Sequence, residues 1–145
     1  MPRRSSGPLQ LDTHVWIWLF EGDRARLSRR IVSLAERAAA AGELLVSAIS
    51  IWELGMLVAK GRLSLSRDLP GWVAETRRPP GVQVVPVTAA IALEAGALPG
   101  VMHGEPADRI IAATARVTGG TLLTCDERLL AYGGAGRLRV RDARR

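Results

Sequence analysis

From Leu9 to Val140, short apolar runs alternate with helix-patterned segments, and this alternation constrains the fold more than any other feature of the chain. It is the pattern of βαβ units, in which each helix returns the chain across a parallel sheet. Leu9–Leu11 predicts a first strand, and Thr13–Phe20 an apolar helix directly after it. Ser28 is placed to cap the next helix, with Leu27 and Val32 as a hydrophobic staple and Gly42 just past its end. Leu44–Val46 predicts a second strand. Ser50 and Glu53 have capping-box spacing, and the helix they open should stop at Gly61. A helix over Leu69–Arg77, a strand over Val82–Val87 and a helix capped by Thr88 and ending before Pro99 follow. Pro106 suits the first turn of a helix running to Thr118 and closed by Gly119. Thr121–Thr124 predicts a fourth strand, Glu127–Tyr132 a short helix, Gly133–Gly136 a turn, and the alternating Arg137–Arg141 a fifth strand. The fold class expected is α/β, a three-layer α/β/α sandwich around a mainly parallel five-stranded sheet.

No repeat or linker divides the 145 residues, so residues 9–141 are expected as a single domain. The polar, basic residues 1–8 read as a loose lead, and residues 142–145 as a basic tail. A hydrophobic content of 48% against 23% charged supports burial of a core and argues against disorder. The longest stretch without a formal charge, Pro79–Leu93, is too short and too rich in proline to cross a bilayer. Asp12 interrupts the chain before any signal-peptide core can form after Arg3 and Arg4, so a cytoplasmic location is expected. Cys125 is the sole cysteine, which excludes an internal disulfide and an all-cysteine zinc site.

Ligands of open parallel sheets bind beyond the carboxyl ends of the strands, and there this sequence is acidic. Asp12 follows the first strand, Glu53 lies after the second, Asp108 falls in the first turn of its helix, and Asp126 follows the fourth strand. Each of the last three has an ordinary structural explanation. Glu53 completes a capping box, Asp108 complements a helix N-terminus, and Asp126 caps a short helix. Asp12 fits such an explanation less well, because an acid among Leu9, Leu11 and Val15 is costly to bury without a partner. Together these carboxylates would repel one another unless a cation sat among them. Oxygen donors with no nearby Cys or His pair favour Mg²⁺ or Mn²⁺. Such an ion lowers the pKa of bound water and neutralises charge on a phosphodiester, which suits nuclease chemistry.

At these residues the chain resembles the PIN-domain ribonucleases, and among them the VapC toxins of bacterial toxin–antitoxin pairs. Four segments carry the resemblance: Leu11-Asp12-Thr13-His14, Ser47-Ala48-Ile49-Ser50-Ile51-Trp52-Glu53, Pro106-Ala107-Asp108-Arg109-Ile110-Ile111-Ala112-Ala113-Thr114-Ala115, and Leu123-Thr124-Cys125-Asp126. The resemblance implies that Asp12, Glu53, Asp108 and Asp126 form an acidic quartet around one or two Mg²⁺ or Mn²⁺ ions. Asp12 and Asp108 would be direct ligands. Glu53 would act through the metal's waters or as a proton acceptor, and Asp126 would serve a second ion or shape the shell of the first. Thr13 and Thr124 would support the carboxylates, or equally cap strand ends. Similar proteins often carry Asp where this chain has Glu105, so Glu105 is an additional candidate ligand or else a rim acid. The resemblance also implies a PIN-like fold, an RNA substrate cut to leave 5′-phosphate and 3′-hydroxyl ends, a homodimer, and inhibition by a VapB-type antitoxin.

Twenty basic residues against fourteen acidic ones give a net charge of +6, and all but one of the basic residues are Arg. Arg109, Arg116 and Arg128, with Arg137, Arg139, Arg141, Arg144 and Arg145, are candidates for RNA-phosphate contact or else a solvated face. Val15–Phe20 is apolar beyond what one buried helix face needs, and the antitoxin would lie across it. Trp72 joins that surface or packs inside. His14 and His103 are too far apart in sequence for a metal pair and read as structural or peripheral. Two rival readings are a Mg²⁺-dependent phosphatase and a non-catalytic RNA-binding module. The phosphatase motif would need a second Asp where His14 stands. The binding module would reduce the acids to caps.

Overall fold

The structure is a computed structural model that describes residues 7–102 and 104–145. Of the lead expected at 1–8, all but Gly7 and Pro8 lies outside the described residues, as does His103. In chain order the elements are β1 (Leu9–Leu11), α1 (Thr13–Glu21), α2 (Arg29–Ala40), β2 (Leu44–Ser47), α3 (Ala48–Ala59) and α4 (Leu69–Arg77). They continue with β3 (Gln83–Val85), α5 (Ala89–Gly96), α6 (Pro106–Thr118), β4 (Thr121–Thr124), α7 (Glu127–Gly134) and β5 (Val140–Asp142). The five strands form one sheet in the order β3-β2-β1-β4-β5, with every pairing parallel.

Both faces of a sheet built from crossovers are covered by helices, so its strands must be apolar on both sides. Successive residues of each strand therefore feed different cores. On one face Leu11, Leu44, Val46 and Leu123 pack with Val15, Trp16, Ile31, Ala35, Leu54 and Trp72. On the other face Leu122 packs with Ile91, Ile111, Ala112, Ala115, Leu129 and Tyr132. Gln10 is fully buried, and its Nε2 donates to the Ile111 carbonyl at 3.1 Å, fixing α6 over the central strand. Trp72 resolves to the interior, its ring centroid 5.1 Å from that of Trp16.

Several boundaries differ from the sequence reading. Ser47, not Ser50, caps α3, its Oγ accepting from the Ile49 N–H at 3.2 Å, so the helix starts three residues early and Ser50 lies inside it. β3 is shorter than expected at both ends. Pro86 lacks the N–H that would extend it. Gly133 and Gly134 continue α7 instead of turning, and a Cβ on Gly133 would collide with Val140 Cγ2. That close approach delays the last strand, which begins at Val140 and includes Asp142. Ala143, expected in a tail, is fully buried. Its N–H donates to the Thr124 carbonyl at 3.0 Å and its carbonyl accepts from the Ser28 N–H at 3.1 Å.

Candidate functional site

The order β3-β2-β1-β4-β5 reverses direction between β1 and β4, and the crevice beyond the carboxyl ends of those two strands is the natural ligand site of such a sheet. Asp12 and Asp126 stand immediately after these strands. Asp12 caps α1, with Oδ1 accepting from the Thr13 N–H at 2.8 Å and Oδ2 from the Thr124 hydroxyl at 2.6 Å. The same Thr124 oxygen accepts from the Asp126 N–H at 3.0 Å. A hydroxyl has one proton. Thr124 gives it to Asp12 and offers a lone pair to Asp126, and so joins the two acids across the switch point.

Glu53 arrives from α3, the helix that follows the neighbouring strand β2. Its Oε1 is 2.6 Å from the Thr13 hydroxyl, which is also 2.8 Å from the Ser50 hydroxyl. Thr13 can donate its single proton to one of these, and a carboxylate has none to offer in return. The consistent assignment is therefore Ser50 donating to Thr13 and Thr13 donating to Glu53. The capping-box explanation of Glu53 is thereby overturned. Ser50 is fully buried one turn before Glu53, and the sequence reading missed its part in the site. The signal was present in its helical spacing from Glu53, but was spent on the wrong cap.

Asp108 occupies the first turn of α6. This helix turns through Gly119 directly into β4 and so runs back along the sheet with its start at the carboxyl edge. Gln10 and Ile111 mark a common level. Asp12 lies two residues beyond Gln10, about 6.6 Å along the strand. Asp108 lies one turn before Ile111, about 4.5 Å along the helix in the same sense. Both acids thus rise to one edge. Glu105 is the N-cap residue of α6 and makes no side-chain capping bond. Asp126 caps α7 as its ordinary reading held, Oδ1 accepting from the Arg128 and Leu129 N–H groups at 2.8 and 3.3 Å.

The electrostatics follow. Burial pushes the Asp12 carboxyl above the usual range, opposed by the hydrogen bonds from Thr124 and Thr13 and by the charge of the neighbouring His14, while the charge of Asp126 raises it further. Burial also pushes Glu53 up against the Thr13 hydrogen bond, and the charges of Asp12, Glu105 and Asp126 all add to the rise. These acids therefore feel one another. Among the described residues no group of three or more His, Cys, Asp or Glu side chains stands ready to hold a metal ion. The donor chemistry nevertheless fits a hard cation: the carboxylates are oxygen donors, charge placed among them relieves their repulsion, and Asp12 receives only hydroxyl and amide bonds.

The arginines separate into different groups. Arg109 donates from Nε to the Ala95 carbonyl at 3.0 Å and from Nη1 to the Met102 carbonyl at 3.1 Å, tying the loop between α5 and α6. Arg116 pairs with Glu94 at 2.6 Å and also donates to the Arg137 carbonyl. Arg144 is held by Asp142 and Glu127. The Arg128 side chain is exposed and has no hydrogen bond or ion pair among the described residues. It stands in the first turn of α7, two residues from Asp126.

A fully parallel sheet in this order, covered by helices, is the α/β architecture of the PIN class. The PIN domain family model matches residues 10–135, and the chain belongs to that family. It is 37% identical over 122 residues to Ribonuclease VapC22 of Mycobacterium tuberculosis (strain ATCC 25618 / H37Rv), covering 84% of this chain and 89% of the relative. Among solved structures it is similar to VapBC2 from Rickettsia felis bound to a DNA fragment from the promoter. There the TM-score is 0.65 at 16% identity over 92% of this chain and 96% of that one. FitAcB from Neisseria gonorrhoeae gives a TM-score of 0.62 at 22% identity, covering 93% of this chain and 97% of that one. At these identities the solved structures speak to the fold, which is the three-layer α/β/α arrangement expected, with the sheet entirely parallel.

Proposed function

We propose that this chain is an endoribonuclease of the VapC toxin type, dependent on Mg²⁺ or Mn²⁺ and restrained by a VapB-type antitoxin. The relative named as a ribonuclease supports the activity, and the solved VapBC complexes support the antitoxin. The observation that carries the reading is Asp12: a buried carboxylate at the switch point, oriented through both oxygens and supplied with no cationic partner in its hydrogen bonds. Asp12 and Asp108 would hold the ion directly, with Asp126, Glu53 and Glu105 completing or shaping its surroundings. Once bound, it would lower the pKa of a coordinated water and neutralise charge on the phosphodiester.

The remaining work falls to the chain itself. Thr124 and the Thr13 N–H aim the two oxygens of Asp12, and such supporting bonds fix ligand orientation. Glu53, kept partly desolvated and held by Thr13, would be a proton acceptor whose proton affinity burial raises. Arg128, exposed beside Asp126, is a contact for the RNA backbone. Residues 9–141 with the buried Ala143 form the working domain, two copies pair, and the site acts in the cytoplasm. No described helix is long and apolar enough to cross a membrane.

Total cellular RNA incubated with the protein, with and without Mn²⁺, tests this reading. Wild type should degrade RNA in the ion's presence, leaving 5′-phosphate and 3′-hydroxyl ends, and Asp108→Asn should not. Equal degradation by both proteins would remove the site assignment. Intact RNA with wild type, with no Mn²⁺ binding by calorimetry, would leave a binding module.

A further inference from the structure

His14 is the second residue of α1, adjacent to Thr13, and it is exposed. Its ring meets that of Trp18 one turn along the helix, with centroids 5.9 Å apart and planes tilted by 47°. The Arg26 guanidinium lies over Trp18, 5.3 Å from the ring centroid. Arg26 also pairs with Asp23 at 3.0 Å, yet its side chain remains 61% exposed. Three flat groups therefore form a ledge leading outward from the Asp12 cap. Val15, Trp16 and Ile17 bury the inner side of α1 and Trp18 packs partly against the same core, which leaves the rest of its ring, with His14 and Arg26, facing outward.

Single-stranded RNA is held chiefly by stacking its unpaired bases on aromatic rings and on arginine planes, beside groups that handle the phosphates. We propose that the His14–Trp18–Arg26 ledge is a stacking subsite for an unpaired RNA base flanking the phosphodiester at the carboxylates. The identity of the ligand rests on the ribonuclease reading above, but the test does not depend on cleavage.

The probes are a short, end-labelled single-stranded RNA and a ribose-phosphate strand of equal length without bases, followed by fluorescence anisotropy in Ca²⁺. Wild type should prefer the RNA. His14→Ala should lose about tenfold in affinity for RNA and nothing for the base-free strand. His14→Tyr, which restores an aromatic face, should recover most of the loss. Arg26→Lys, which keeps the charge but not the plane, should lose less than His14→Ala, on RNA alone. His14 is exposed and outside the core, so its variants should fold, and matching thermal melts verify this.

The ledge is overturned if wild type shows no preference for RNA, if His14→Ala binds RNA as wild type does, or if it loses equally on both strands. Cleavage in Mn²⁺ that persists alongside any of these results leaves the ribonuclease reading standing. Preserved stacking without cleavage removes that reading and leaves the subsite.

Discussion

Asp12 and Asp142 both stand at the carboxyl edge of the sheet, one after its central strand and the other at the end of its edge strand, yet their chemistry diverges. Asp142 receives the Arg144 guanidinium at 2.8 and 2.9 Å, and that bond holds its carboxyl down at about 2. Asp12 lies at the interior switch point with two hydroxyl or amide donors and no guanidinium, and burial pushes its carboxyl up. An acid with a built-in cation is finished as a structural element. An acid that is buried and oriented without a guanidinium is electrostatically less complete, which is the condition the proposed ion would relieve.

The largest expected effect is on cleavage. Asp12→Asn should reduce the rate on a defined RNA by about 100-fold or more, since several kcal/mol of charge stabilisation would depend on the ion it is proposed to hold. Asp142→Asn should stay within about twofold of wild type, because its carboxylate is taken up by Arg144 at the sheet's edge. Equal losses in a gel-based assay would break the contrast. An intermediate effect is expected of Thr124→Val, which removes the hydroxyl between Asp12 and Asp126. Calorimetric Mn²⁺ affinity should fall by about 10- to 100-fold while circular dichroism is unchanged. Undiminished affinity would show that this hydroxyl does not orient the ligands.

The smallest effects are on stability, and they have opposite signs. Asp142 has a folded pKa below its unfolded 3.8, so its contribution is present above that value and lost as pH falls from 3.8 to about 2. Asp12 is raised above 3.8, so its ionisation weakens the metal-free fold as pH climbs through its folded value. In chelator at pH 7, Asp12→Asn should therefore melt higher than wild type and Asp142→Asn lower. The signs carry the test, and the Asp142→Asn shift should not exceed about 4 °C, roughly what 1 kcal/mol produces in a chain of this length. Divalent ion should raise the melting temperature of wild type and leave Asp12→Asn nearly unmoved. Scanning calorimetry at both conditions decides it.

Local signals carried most of the architecture. Ser28, Thr88 and Pro106 mark helix starts, Gly119 marks an end, and the elements follow them because capping and left-handed turns are decided by a few neighbouring atoms. The spacing of acids after the strands likewise placed Asp12 and Asp126 at one edge. Where long-range contacts decide, local reading fails. Ser50 looks like a cap until α3 packs beside α1 and presents it to Thr13. Gly133 looks like a turn until α7 must approach Val140. Arg109 and Arg116 are tied to carbonyl and carboxylate partners 7 to 22 residues away that their sequence neighbours do not announce.

The bond between Thr124 and Asp12 spans 112 residues of sequence, and the carbonyl of Thr124 is in turn fastened by residue 143. A growing polypeptide that has emerged only as far as α6 already possesses Asp12, Glu53 and Asp108, but only the Thr13 N–H to aim the first of them. An incomplete chain therefore carries these acids without the Thr124 bond, and the anchor of that bond is in place only once the last strand has docked.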